Sequence, residues 1–280
     1  MKQRVISTQE YNDFRQFLAD VSGIVLGDNK HYLVGSRLNR LMEEHELDSY
    51  QQLLERILSS QNLGLREKVI DAMTTNETMW FRDIYPFELL NNELFPTFAK
   101  QKKASIRIWS AACSSGQEPY SMSIIANEFI TNNSSVFPAG VEIVGTDISS
   151  EMLKCSKLGV YDSNAMHRGL SEDRRSKYFK EVPGGWQVNE TIRSRVNFRA
   201  LNLQASFSGL GKFDVIFCRN VLIYFSSEFK TDILTRMSQV LNPGGYLMLG
   251  SSETPTRYTP LYQMVRASQG VIYQLASTNQ

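Results

Sequence analysis

The stretch RIWSAACSSGQEPYS, residues 107–121, reads as a strand, a tight turn and the start of a helix. In an α/β protein such a turn brings backbone close to a nucleotide, yet Gly116 is its only glycine. A pyrophosphate asks for the full G-x-G-x-x-G turn and a helix N-terminus aimed at it. That motif is absent here. Small side chains at Ala111, Ala112, Ser114 and Ser115 still let backbone pass close to a ligand that carries no phosphate. Glu118, just past the turn, would repel a pyrophosphate and pair with a cation; as plain helix chemistry it is a favourable first-turn charge. Asp147 ends the run VEIVGTD, where a carboxylate either accepts both hydroxyls of a ribose or caps the following helix. These acids beside a small-residue turn suit a phosphate-free cationic nucleoside. S-adenosylmethionine, a sulfonium with an amino-acid tail, has that chemistry.

The elements that must position these residues follow from periodicity. Tyr11, Phe14, Phe17, Leu18 and Val21 step at helical spacing behind Ser7 and Thr8, and Gly23 ends the run. Further helices are expected over Tyr32–His45, around Tyr50–Leu58 and over Leu65–Met73. Beyond Pro86 strands alternate with helices: Ser105–Ala111, Pro119–Phe129, Val141–Asp147, Ser150–Leu158, Phe213–Cys218, Ser227–Leu241 and Tyr246–Ser251. That order builds a parallel sheet from right-handed crossovers. Trp186–Val188 and Ile192–Phe198 read as short strands of an antiparallel insertion beside the Pro183-Gly184-Gly185 turn. Tyr262–Arg266 and Val271–Leu275 read as a hairpin around Ser268-Gln269-Gly270. LNPGGYLML, 241–249, reads as a helix stop and turn before a strand. A parallel sheet closed by one antiparallel strand is commoner in adenosylmethionine-dependent methyltransferases than in nicotinamide dehydrogenases.

Composition narrows the classes further. With 30 basic and 29 acidic residues among 280, the net charge of +1 gives no broad basic field for nucleic acid. No run approaches the ~18 apolar residues of a membrane span. The three cysteines, Cys113, Cys155 and Cys218, lack metal-ligand spacing; with no apolar signal stretch after Met1 they suggest a reducing cytoplasm.

TTNETMWFRD (74–83) and FDVIFCRNVLIYF (213–225), together with WSAACSSGQEPYS, closely resemble the three signature segments of the CheR-type chemotaxis receptor methyltransferases. The resemblance covers almost the whole chain. It implies an α/β fold with a small all-helical N-terminal domain (1–75) for substrate recognition. A Rossmann-like class I methyltransferase sheet (76–280) follows, with a C-terminal antiparallel hairpin and an inserted antiparallel β-subdomain at about 178–198. It implies methyl transfer from S-adenosyl-L-methionine to glutamate side chains on the cytoplasmic helical region of chemoreceptors, releasing S-adenosyl-L-homocysteine. Carried over by motif, Asn76, Thr78, Arg82, Glu118, Asp147, Asn202, Leu203, Arg219 and Asn220 would line the cofactor pocket. Arg82 and Tyr224 would lie nearest the transferred methyl. Arg37 and Arg40, one helical turn apart in SRLNRLMEEHE, would meet acidic receptor helices, although Glu43 and Glu44 follow them.

A carboxylate is already an anionic nucleophile and a sulfonium a good leaving group, so no general base, covalent intermediate or metal is expected. His31, His45 and His167 lie outside every motif and read as structural or surface residues. Without the resemblance, Arg82 reads as a surface partner of Asp83 or Glu77, and Tyr224 as a core aromatic. Two residues depart from the family pattern. Trp80 stands where phenylalanine is usual and is expected to pack near the cofactor; Cys113 stands where a small residue is usual and reads as a buried small hydrophobe. The insertion is short, so no tether to a receptor tail is expected, and a monomer suffices. The rival readings are a methyltransferase for another protein or a small molecule, a non-catalytic adenosylmethionine sensor, and a dehydrogenase.

Overall fold

A computed structural model describes residues 5–59, 62–133, 135–268 and 270–276. Gln269, in the turn of the expected hairpin, lies outside them. Helix α1 (Thr8–Ser22) begins at Ser7, whose hydroxyl accepts from the Glu10 amide at 3.3 Å while the Glu10 carboxylate accepts from the Ser7 amide at 2.9 Å. It ends on Gly23, whose φ of +75° suits a left-handed cap; a Cβ there would stand 2.2 Å from the Phe229 ring. Helices α2 (His31–Glu44), α3 (Tyr50–Leu58) and α4 (Leu63–Met73) complete a bundle with its own core of Tyr11, Phe14, Leu18, Val34, Leu38, Leu53 and Val69.

Two short helices, α5 (Tyr85–Leu89) and α6 (Phe95–Lys100), flank a π-helical turn over Leu90–Leu94 in a stretch where no element was expected. Pro86 and Pro96 sit in their first turns, where a missing N–H breaks no helical bond. Strand and helix then alternate as β1 (Ile106–Ala111), α7 (Gln117–Asn132), β2 (Val141–Asp147) and α8 (Ser150–Leu158). Next come β3 (Val160–Tyr161), α9 (Ser163–His167), α10 (Glu172–Tyr178), β4 (Phe179–Val182), β5 (Gly185–Val188) and α11 (Glu190–Arg193). The chain closes with β6 (Val196–Ala200), β7 (Phe213–Cys218), α12 (Ser227–Val240), β8 (Leu241–Leu249), β9 (Tyr262–Ala267) and β10 (Gly270–Leu275).

The main sheet runs β6-β2-β1-β7-β8-β10-β9. Its first five strands are parallel, and β10 inserts antiparallel between β8 and β9, closing the sheet as expected. The chain leaves β1 toward β2 and β6, then returns to the other side at β7. The crevice beyond the carboxyl ends of β1 and β7 is therefore the topological switch point. Alternating side chains feed two cores: Ile106, Ile108, Val215 and Phe217 pack on one face, and Trp109, Ala111, Phe213 and Ile216 on the other.

Three details correct the sequence reading. The small antiparallel sheet is present but consists of β3-β5-β4. Ile192 lies in α11, and Val196–Ala200 pairs parallel to β2 in the main sheet, Ile143 against Val196. LNPGG is not a free turn: β8 already begins at Leu241 opposite Phe213, and an irregularity follows before Tyr246 pairs with Val215.

Candidate functional site

The 112–116 turn reaches its tight shape with a single glycine, Gly116 at φ +94°. Ala112 (φ +59°) and Ser114 (φ +49°) occupy left-handed backbone that usually favours glycine. Hydrogen bonds hold them there. The Cys113 amide donates to Thr146 O at 2.9 Å, the Ser114 amide to Asp147 Oδ2 at 2.7 Å, and Ser114 Oγ to the Asn76 carbonyl at 2.8 Å. Gly116 is required for packing, since a Cβ would meet Ser156 Cβ at 2.8 Å and the Phe198 ring at 3.2 Å. Asp147 is not the cap of α8; that role falls to Ser149, which accepts from the Met152 amide at 3.1 Å. Instead Asp147 Oδ1 accepts from the Ser149 amide at 2.9 Å, so both of its oxygens are already oriented by backbone. Burial raises its pKa, against the pull of these N–H donors.

Glu118, in the first turn of α7, accepts from Ser110 Oγ at 2.8 Å and pairs with Arg219 at 2.9 Å. Arg219, its side chain 1% exposed, also meets Asp83 at 2.6 Å and donates to the Arg82 carbonyl at 2.9 Å. One cation between two carboxylates leaves this cluster with a net charge of −1, which a cationic ligand would offset. Arg219 Nε is buried with no hydrogen-bond partner among the described residues, a donor left over at the cavity wall. Asn220 follows in left-handed backbone at φ +59°, its amide held by Glu253 at 2.7 Å.

All of Asn76, Thr78, Arg82, Glu118, Asp147, Asn202, Leu203, Arg219, Asn220 and Tyr224 line one cavity at the switch point. Arg82 makes no ion pair among the described residues; it donates only to the Glu77 carbonyl at 3.1 Å. Neither the Asp83 nor the Glu77 partnership considered from sequence forms: Asp83 is taken by Arg219 and Glu77 by Arg168. Tyr224 sits in a 3₁₀ turn (Leu222–Tyr224), half-buried, with no hydrogen bond to its hydroxyl among the described residues. Asn202 lines the cavity, but its amide donates to Val21 O at 2.7 Å and its oxygen accepts from the Gln204 amide at 2.9 Å.

Arg37 and Arg40 do not line the cavity. Arg37 is bonded to the chain around Thr74, and Arg40 is exposed and paired with Glu44 at 2.9 Å. Trp80 lies outside the cavity too, edge-on to Tyr161 and Phe179 with centroids at 4.9 and 5.0 Å. Cys113 lines the cavity as a buried thiol whose pKa burial raises well above the ordinary value. Sequence reasoning did not single out Ser22, Ile24 and Met73 from the helical bundle, or Thr74 and Thr75 at the start of the TTNETMWFRD segment, all of which wall the same cavity. Nothing in the types of the first three marks them.

The residues fit a cationic nucleoside. Apolar Ile148, Leu201, Leu203 and Val221 suit a base, the Asp147 carboxylate a ribose, and the acidic Glu118–Arg219–Asp83 cluster a positive tail. Comparison with known proteins agrees. Residues 76–271 match the family described as "CheR methyltransferase, SAM binding domain", and residues 9–74 that described as "CheR methyltransferase, all-alpha domain". Chemotaxis protein methyltransferase 1 of Pseudomonas aeruginosa is 55% identical over 267 residues, covering 95% of this chain and 97% of that one. Chemotaxis protein methyltransferase Cher2 of Pseudomonas putida is 53% identical over 267 residues, with the same coverage of 95% and 97%. Chemotaxis protein methyltransferase 1 of Vibrio cholerae is 50% identical over 271 residues, 96% of this chain and 98% of that one. With both matches in order along one chain and full-length relatives at half identity or more, the chain belongs to the CheR methyltransferase family, and its cofactor is S-adenosylmethionine.

Proposed function

We propose that this chain esterifies glutamate side chains on the cytoplasmic helical region of chemoreceptors. The observation that carries this reading is Arg82, an arginine without an acidic partner among the described residues, in a cavity whose other arginine is neutralised by two carboxylates. A guanidinium bonded only to one carbonyl can still grip an incoming carboxylate through two parallel hydrogen bonds. Tyr224, whose hydroxyl has no hydrogen bond among the described residues, can donate one more near the reacting oxygen.

S-adenosylmethionine, when bound, supplies an electrophilic methyl on a sulfonium. The Asp147 carboxylate would hold the ribose hydroxyls, the Glu118 cluster the ammonium, and Asn76, Thr78, Asn220, Ile148, Leu201 and Leu203 the remaining wall. Joining a carboxylate to a cation cancels charge, so water, which stabilises charged reactants most, retards the reaction. The chain therefore has to exclude water and align the carboxylate, and no proton needs to be moved. Among the described residues no group of three or more His, Cys, Asp or Glu is placed to hold a metal ion. No helix among them is long and apolar enough to cross a membrane.

The test uses labelled adenosylmethionine with a receptor cytoplasmic fragment. Base-labile label on glutamate is expected. Arg82→Ala should lower kcat/KM by about 100-fold, the loss of a bidentate charged contact, with cofactor affinity changed far less. Label on another residue or on small molecules alone would overturn the reading.

A further inference from the structure

Arg37, half-buried on α2, bonds through its guanidinium to the chain at and just beyond the end of α4. Its Nη1 donates to Met73 O at 2.6 Å and Thr74 O at 3.0 Å, and its Nη2 to Thr75 Oγ1 at 3.0 Å. Met73 and Thr74 are the last residue and the cap of α4, where carbonyls lack helical partners and a cation is favourable. Residues 73–75 also wall the cofactor cavity, which Arg37 itself does not touch. The contacts continue inward. Asn76 Nδ2 donates to Thr74 Oγ1 at 3.0 Å, the Asn76 carbonyl accepts from Ser114 Oγ at 2.8 Å, and the Ser114 amide donates to Asp147 at 2.7 Å. Hydrogen bonds at residues 74, 76 and 114, joined through those residues themselves, thus link α2 to Asp147, the acid assigned to the ribose.

We propose that Arg37 is a positioning residue of the cofactor site, acting through residues 73–76. The proposal rests on the adenosylmethionine-dependent reading and gives this arginine a role toward the cofactor. A guanidinium in a fixed fork can span two carbonyls and a hydroxyl at once, whereas an ammonium reaches fewer of them. Exposed Arg40, on the same helix, is left as the candidate for receptor contact.

Calorimetric titration of adenosylmethionine into the full chain, without receptor, tests this. Losing three charged hydrogen bonds to residues 73–75 should raise the Kd of Arg37→Ala about tenfold, and that of Arg37→Lys about threefold. At saturating cofactor, the KM for a receptor fragment should stay within about twofold of wild type. Arg40→Ala should show the opposite split, an unchanged cofactor Kd and a raised receptor KM. Arg37→Lys keeps the charge and is the variant to read if Arg37→Ala does not fold. Wild-type cofactor affinity in the folded Arg37 variants, or an effect confined to receptor KM, would overturn the proposal. Failure of the wild-type chain itself to bind adenosylmethionine would instead overturn the reading beneath it.

Discussion

Arg219→Met, which keeps much of the side-chain length and removes the charge, should destabilise the free protein by about 3–4 kcal/mol. Arg219 is 1% exposed and lies 2.9 Å from Glu118 and 2.6 Å from Asp83. Breaking a buried pair from one side costs about 3–5 kcal/mol, because the remaining charge stays buried and unpaired. Glu118, 12% exposed, carries most of that cost. Asp83, 34% exposed, can turn to water, so its share falls toward the surface value of about 0–1 kcal/mol. At about 2–4 °C per kcal/mol for a chain of this size, the melting temperature should fall by roughly 6–16 °C. Scanning calorimetry without ligand reads this directly. The reasoning also requires non-additivity: Glu118→Gln on top of Arg219→Met removes the stranded charge, so the double variant should recover more than about 1 kcal/mol relative to the sum of the singles. A melting temperature within 2 °C of wild type, or simple additivity, would refute the claim that this charge cluster organises the site.

The pH dependence of Asp147 should show two opposite slopes. Burial raises its pKa in the folded free protein above the unfolded value of about 3.9, so its contribution to stability grows as pH falls through that window. Ribose hydroxyls favour the ionised carboxylate, so adenosylmethionine affinity should weaken over the same fall; titrations and melts of Asp147→Asn should lose both slopes. Ile84→Gly should raise stability by about 0.5–2 kcal/mol in a thermal melt. Ile84 is β-branched, 61% exposed and held at φ +55°, ψ −58° by a turn in which the Tyr85 amide donates to Asp83 O at 2.5 Å. A drop in melting temperature would mean its exposed side chain packs more than its accessibility implies.

Local chemistry made much of the fold legible. Ser7 and Gly23 begin and end α1 where a cap and a stop were expected, and the apolar runs ending at Ala111, Asp147 and Cys218 are the central strands. Partnership between strands was not legible. The run around Val196 and Phe198 has the same pattern whether it joins a small hairpin or the edge of a large sheet; only Ile143 and its neighbours in three dimensions decide. The 85–100 helices were hidden because prolines, which argue against helix interiors, sit here in first turns. Within the site, motif residues were legible as a set but not their commitments. Asn202 and Arg219 line the cavity while bonding chiefly to protein. Their types look the same in a sequence whether they face a ligand or a backbone carbonyl.

The end of α1 escaped the sequence because its contacts run largely through main chain. Val25 N donates to the Tyr224 carbonyl at 2.9 Å, Asn202 and Gln204 donate to the carbonyls of Val21 and Ala19 at 2.7 and 3.2 Å, and Gly23 packs against Phe229. These contacts seat the end of α1 on the catalytic sheet and make Ser22 and Ile24 part of the cavity wall. Ser22 and Ile24 cover part of the crevice above the switch point. A charge-cancelling methyl transfer is slowed by water, so covering that part serves the chemistry itself. Through Ser22 and Ile24 at the end of α1, and through residues 73–76 at the end of α4, the helical bundle therefore supplies two parts of the cavity wall.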